Sequence, residues 1–342
     1  MKHRLGGKSG MRLFHYTAIG LCAMACIGMQ GIAGAQGAVA PAHTRAHEAV
    51  GPTVAEQASN HYRFETHTLT SRDGRRRYRV QLGIPKKSIP GTTRAALYML
   101  DGNAAIDTLT AADLEYLANR NAPVLVAIGY DVSTRNDVVS RAYDYTPPVF
   151  QNGRQIAEPT VRGRVGGGAN LFLQLIEEEI KPLLQKRTSS VEREYLWGHS
   201  YGGLFTLHVL FTKPESFAGY IAGDPSAWWH NGALIDEWDS FPRERAAGKL
   251  VSILVGTKPR PVDRPAPPDA DGITRDGKKI DARAWMHDVA ANLGEHGAQV
   301  RYETFPQYGH GDMIRASLEH ALEVASEPTQ DAVRPAGNLR RP

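Results

Sequence analysis

Along residues 78–325, short apolar runs alternate with stretches of helical periodicity. Tyr78–Ile84, Ala95–Leu100, Pro123–Gly129, Glu194–Gly198, Phe217–Ala222, Leu250–Val255 and Gln299–Phe305 have the length and bounding residues of buried strands. Thr110–Arg120, Ala169–Lys186, Gly202–Thr212, Asp281–His296 and Asp312–Ala325 carry apolar residues at helical spacing. Strands alternating with helices predict an α/β fold, a mostly parallel central sheet covered on both faces. Two irregular segments, Tyr130–Gly168 and Thr257–Gly277, interrupt the alternation. Each follows the C-terminal end of a predicted strand, the rim where open α/β sheets bind ligands.

The ends read differently. Residues 1–16 contain Lys2, Arg4, Lys8 and Arg12 and no acid, and an apolar run from Thr17 to Met29 leads to Ala33-Gly34-Ala35. That is the layout of a secretory signal peptide over 1–35, and the apolar run is too short to span a bilayer. Residues 36–60 read as a flexible leader, 61–325 as the folded domain, and 326–342 as a disordered tail. The expected product is exported to the periplasm, with no stable membrane insertion once the signal is cleaved.

Composition changes this picture in two ways. The 342 residues carry a formal charge of +4, which alone would suggest a nucleic-acid partner. Cleavage after Ala35 removes four positive charges and no negative ones, so the mature chain is formally neutral and that argument lapses. Both cysteines, Cys22 and Cys26, leave with the signal, so disulfide and thiol chemistry are excluded from the mature function.

The strongest chemical signal is Gly198-His199-Ser200-Tyr201-Gly202 between a predicted strand and a predicted helix. A G-x-S-x-G in that context is a nucleophile elbow, a tight turn that exposes a serine Oγ, with small residues on either side for close strand–helix approach. A serine needs a base. Of the histidines, His310 alone follows the last predicted strand on a glycine-flanked loop, Gly309-His310-Gly311, where the hydrolase order places one. His208 and His320 fall in helical patterns and read as packed or solvated.

The orienting acid stays open. Asp263 is the first carboxylate after the strand Leu250–Val255, Asp224 follows the strand Phe217–Ala222, and a dyad without an acid is the third possibility. The oxyanion donors expected are the backbone amide of Tyr201 and one from the turn Asp101-Gly102-Asn103, either Gly102 or Asn103.

Four separated motifs then carry a resemblance: Tyr98–Asn103 (YMLDGN), Ser140–Pro147 (SRAYDYTP), Trp197–Phe205 (WGHSYGGLF) and Phe305–Gly311 (FPQYGHG). Together they resemble the esterase-D-like branch of the α/β hydrolases, and within it the periplasmic trilactone-siderophore esterases of the enterobactin/salmochelin type. The resemblance spans about residues 60–325. It implies the α/β-hydrolase fold, Ser200 as nucleophile and His310 as base. It also implies hydrolysis of the triserine lactone of a catecholate siderophore or its ferric complex, by a Ser–His dyad. No metal site or cofactor is expected, and Fe(III) would arrive only as part of the substrate. The segment Gly223-Asp224-Pro225-Ser226 departs from the pattern, which more often has a small residue or Ser before the proline.

A trianionic, aromatic substrate needs cations and flat apolar surfaces near the serine. The candidates are Arg141, Tyr143, Arg162 and Arg164 in the first long loop, with Trp228 and Trp229 after the next strand. The basic run Arg72–Arg79 reads as a solvated face. Two other functions remain compatible: a carboxylesterase or acyltransferase on another ester, and a siderophore-binding protein with an inert serine.

Overall fold

A computed structural model describes residues 47–87, 93–188, 191–259, 273–275 and 277–328. The expected signal peptide, the leader up to residue 46, Asp263 and the tail from residue 329 lie outside those residues.

Eight strands form one sheet: β1 Tyr62–Thr70, β2 Arg77–Pro85, β3 Arg94–Leu100, β4 Val124–Tyr130, β5 Val191–His199, β6 Gly219–Gly223, β7 Leu250–Gly256 and β8 Gln299–Phe305. Their order is β1-β2-β4-β3-β5-β6-β7-β8. β2 runs antiparallel to both its neighbours, and the remaining adjacent pairs are parallel. This is the α/β-hydrolase arrangement that the resemblance implies.

Helices cover both faces, so β3 and β4 are buried at every residue and read as continuous apolar runs. Alternate side chains enter two separate cores. Leu97 and Met99 of β3 join one cluster with Leu114, Leu117, Met313 and Leu318. Ala96, Tyr98 and Leu100 join the other with Phe172, Leu204, Phe205 and Leu234. Trp197 of β5 is 1% exposed and donates its indole N–H to Ser317 Oγ at 3.1 Å. The bond removes the polar cost of burying that large ring.

Several elements differ from the sequence reading. β1 is an edge strand with mostly polar residues, and only one neighbour supports it, so its alternation is weak. The turn at Asp101 opens a short helix, α1 Gly102–Thr108, and it is followed by α2 Ala111–Ala118. The first long loop carries α3 Ser140–Asp144 and two small hairpins, Phe150–Gln151 with Arg154–Gln155 and Thr160–Val161 with Arg164–Val165. The helix predicted over Ala169–Lys186 is α4 Ala169–Leu175, a π-helical turn Ile176–Ile180 and α5 Lys181–Gln185.

Part of the expected flexible leader is structured. Val50 donates to Ser133 O at 2.8 Å, Arg135 N donates to Glu48 O at 3.0 Å, and Thr53 and Val54 are buried. The basic run is also not uniformly solvated. Arg76 is 10% exposed and contacts Asp144 at 3.0 Å through Nε. Its guanidinium also lies 4.4 Å from the Tyr143 ring centroid. Burial raises the Asp144 carboxyl to about 7, with Arg76 and the Tyr78 and Tyr130 hydroxyls opposing the shift.

Candidate active site

The elbow forms between β5 and helix α6 Tyr201–Thr212, with Ser200 as the single residue between them. Ser200 adopts φ 61° and ψ −116°, a strained conformation for a residue with a side chain. Close packing forces it. A Cβ at Gly198 would lie 2.4 Å from the carbonyl carbon and oxygen of Gly202, and one at Gly203 would lie 3.0 Å from Gly223 O. At Gly202 the nearest atom would be Leu100 Cβ at an ordinary 3.4 Å. The tight positions are therefore Gly198 and Gly203, and the expectation that the glycine two after the serine is sterically required is corrected. Ser200 N–H donates to Gly223 O at 2.9 Å, and residues Tyr201–Phe211 of α6 are all buried.

His310 lies on the loop between β8 and α9 Met313–Ala325, the helix placed after α7 Trp229–Ser240 and α8 Ala282–Glu295. Its Nε2 is 3.0 Å from Ser200 Oγ, and its Nδ1 is 2.5 Å from Asp224 Oδ2. A carboxylate only accepts, so Nδ1 carries the proton and Nε2 is left to accept from the serine hydroxyl. The imidazole thus has a carboxylate partner, where the resemblance implies a dyad. The partner follows β6, and the loop after β7 that holds Asp263 is largely outside the described residues.

Asp224 has φ 40°; its N–H donates to Leu254 O at 2.6 Å, and its Oδ1 accepts from Gly256 N at 3.3 Å. Burial alone would raise this carboxyl. The hydrogen bond and charge of His310, helped by His199 and Arg283, outweigh burial and hold it below the ordinary carboxylate value.

The second turn at the site is Asp101-Gly102-Asn103. Asp101 takes φ 49°, its N–H donates to Tyr145 Oη at 2.9 Å, and Arg141 binds both of its carboxylate oxygens at 2.8 Å. A Cβ at Gly102 would lie 2.6 Å from Gly129 N, so the turn presses against the end of β4. The Asn103 side-chain amide donates to the carbonyls of Tyr130, Val132 and Thr134, which ties the turn to the end of β4 and the chain after it.

A serine hydroxyl, an imidazole and a carboxylate in one hydrogen-bonded row, on a strained strand–helix turn, form an acyl-transfer site. Comparison with known proteins agrees with that chemistry: the Esterase family model matches residues 71–304. The chain belongs to that family. The esterase is 32% identical to the apo-salmochelin esterase of Escherichia coli O6:H1 over 80% of this chain and 82% of that one. It is 28% identical to the ferri-bacillibactin esterase of Bacillus subtilis over 77% of this chain and 90% of that one. Among solved structures, the enterobactin and salmochelin hydrolase IroE matches with a TM-score of 0.66 at 31% identity, covering 80% of this chain and 99% of that one.

The proposed substrate contacts of the esterase divide. The Trp228 ring lies 6.1 Å from that of Tyr201, the residue after the serine, and the Arg162 guanidinium stacks 4.3 Å over Trp228. Arg164 lies on the same hairpin as Arg162, opposite Val161. The other three are held by neighbours. Arg141 pairs with Asp101 of the second turn and keeps its guanidinium 5.3 Å from the Tyr201 ring centroid, so it stays beside the serine. Tyr143 packs under Arg76, and a Cβ at Gly168 would meet its ring at 2.2 Å. Trp229 is 2% exposed and packs against Gly166 and His230. A sequence shows which residues are cationic or aromatic, but not the partner within the fold that each of them meets.

Two residues beside the esterase's serine were not assigned from sequence. Ser226 Oγ is 3.3 Å from Ser200 Oγ, and the His199 ring contacts the His310 loop. Both lie within two residues of Asp224 or Ser200, so adjacency was the only signal. His208 is packed, with Nδ1 2.8 Å from Glu237 and Nε2 3.0 Å from Asn170.

Proposed function

We propose that this esterase opens the triserine lactone of catecholate siderophores, free or as the ferric complex, in the periplasm. The observation that carries the reading is the hydrogen-bonded row Ser200–His310–Asp224. As Ser200 Oγ bonds to a lactone carbonyl carbon, His310 Nε2 takes the hydroxyl proton. Asp224 stabilises the imidazolium and keeps Nδ1 protonated. The amides of Tyr201 and of Gly102 or Asn103 hold the oxyanion. Collapse breaks the bond to the seryl oxygen, which receives the proton from His310. Water, deprotonated by the same imidazole, then releases the acyl group.

The substrate class is supported by relatives named for salmochelin and bacillibactin, and by the Arg162–Trp228–Tyr201 surface, which suits an anionic aromatic ligand. Iron enters with the substrate, and ring opening loosens its preorganised cage. The periplasmic assignment rests on the signal-like residues 1–35.

The test is mass spectrometry of a cyclic triserine-lactone siderophore, with and without iron, after incubation with wild type and Ser200→Ala. Linearised product from the wild type only is expected. An intact ring with wild type, or equal cleavage by the variant, removes the proposal.

A further inference from the structure

We propose that His199 is a positioning residue for the base, tying the main chain of residue 310 to the strand end that carries Ser200. His199 is the last residue of β5, immediately before the serine. Its Nε2 lies 2.7 Å from the carbonyl oxygen of His310. A carbonyl only accepts, so Nε2 carries a proton and donates it. The two imidazole rings lie 4.8 Å apart, inclined at 40°.

The need for such a tie follows from the loop. The His310 side chain is 40% exposed, so packing contributes little to its placement. Neighbouring ties, from Lys258 N to Tyr308 O and from Gly309 N to Asp312 Oδ2, both at 3.0 Å, stop short of residue 310. The bond from His199 acts at residue 310 itself. Because His199 and Ser200 are consecutive, one rigid strand end sets both the nucleophile and the starting point of the base.

The donor must also stay uncharged beside a histidine that becomes cationic in each turnover. Burial, then the neighbouring His310, pushes His199 down to about 3, against the pull of Asp224; Arg141 adds to the lowering. A neutral imidazole therefore keeps the bond through neutral pH without repelling the imidazolium.

This inference rests on the reading of Ser200 and His310 as the catalytic pair, so His310→Ala serves as a reference in its test. His199→Phe keeps a flat ring and removes the donor, whereas His199→Gln keeps an N–H donor. Both are assayed on p-nitrophenyl butyrate and on the cyclic siderophore. His199→Phe is expected to lower kcat about tenfold on both substrates, the scale of one well-placed hydrogen bond, with KM within about twofold. His199→Gln is expected to recover at least about a third of kcat at an unchanged melting temperature.

A His199→Phe enzyme with wild-type kcat overturns the inference. So does a folded His199→Gln impaired as severely as the Phe variant, since that pattern marks ring packing. If His199→Phe fails to fold, folded His199→Gln decides against wild type: at least about a third of kcat supports the inference, and a loss of about tenfold or more overturns it. Full activity of His310→Ala would instead overturn the catalytic-pair reading, and a wild type active only on the nitrophenyl ester would overturn the siderophore reading.

Discussion

The nucleophile and the base of this site are held by different means. Ser200 is fixed by shape: Gly198 leaves no room for a Cβ, Gly203 leaves little, and Tyr201–Phe211 of α6 are all buried. Its left-handed backbone costs about 1–3 kcal/mol, which surrounding packing must offset. His310 is fixed by polar bonds on a loop, with a half-exposed ring reaching Ser200 and Asp224. The first arrangement tolerates no added volume. The second tolerates volume but fails when a donor or acceptor is lost.

Glycine substitutions should break this contrast most severely. Gly198→Ala puts a methyl 2.4 Å from backbone that cannot yield, so we expect no soluble active enzyme. Gly202→Ala, although it alters the G-x-S-x-G motif, meets its first neighbour at 3.4 Å and should retain fold and most of its activity. Purified yield, melting temperature and esterase rate check both. Equal damage from the two would show that the motif glycines act alike.

The polar side breaks at Asp224. Asp224→Asn keeps the size but removes the carboxylate that sets the imidazole tautomer, and kcat should fall by about three to four orders of magnitude. A near-wild-type rate would restore the dyad. The same variant tests linkage. The Asp224 carboxyl is held below its ordinary value in the folded state, so its stabilising contribution is complete above the unfolded value and lost as pH falls through the folded one. Wild type and Asp224→Asn should therefore converge in melting temperature at acid pH. A gap that widens on acidification would contradict the assignment.

What could be read in the sequence follows the same division. The elbow and the parallel core were legible because their constraints are local: a glycine two before a serine, and apolar runs bounded by turns. His310 was legible because it follows the last strand between glycines. Asp224 could not be chosen over Asp263, because the choice depends on which strand end reaches the imidazole. Arg76 was misread as solvated because its partner Asp144 lies on the far side of β4 in sequence. Helix α7 went unread for a local reason: His230, Asn231 and Gly232 all take positive φ in its first turn, which removes the helical pattern where it should begin.

The smallest expected effect sharpens the comparison at the rim, where neither backbone packing nor the catalytic relay is involved. Arg162 stands on an exposed hairpin turn, and its guanidinium stacks over Trp228, whose ring neighbours that of Tyr201. A cation meeting an exposed aromatic face is worth about 0.5–1 kcal/mol, so Arg162→Gln should raise KM for the ferric siderophore roughly two- to fivefold. Both kcat and the rate on p-nitrophenyl butyrate should stay unchanged, because the nitrophenyl ester carries no charge for the arginine to meet. The KM difference should shrink as salt is added, since the attraction is partly exposed. Arg162→Lys should fall between the two, keeping the charge and losing the flat stacking surface. If Arg162→Gln instead lowers kcat on both substrates, the hairpin belongs with the elbow as part of the catalytic framework.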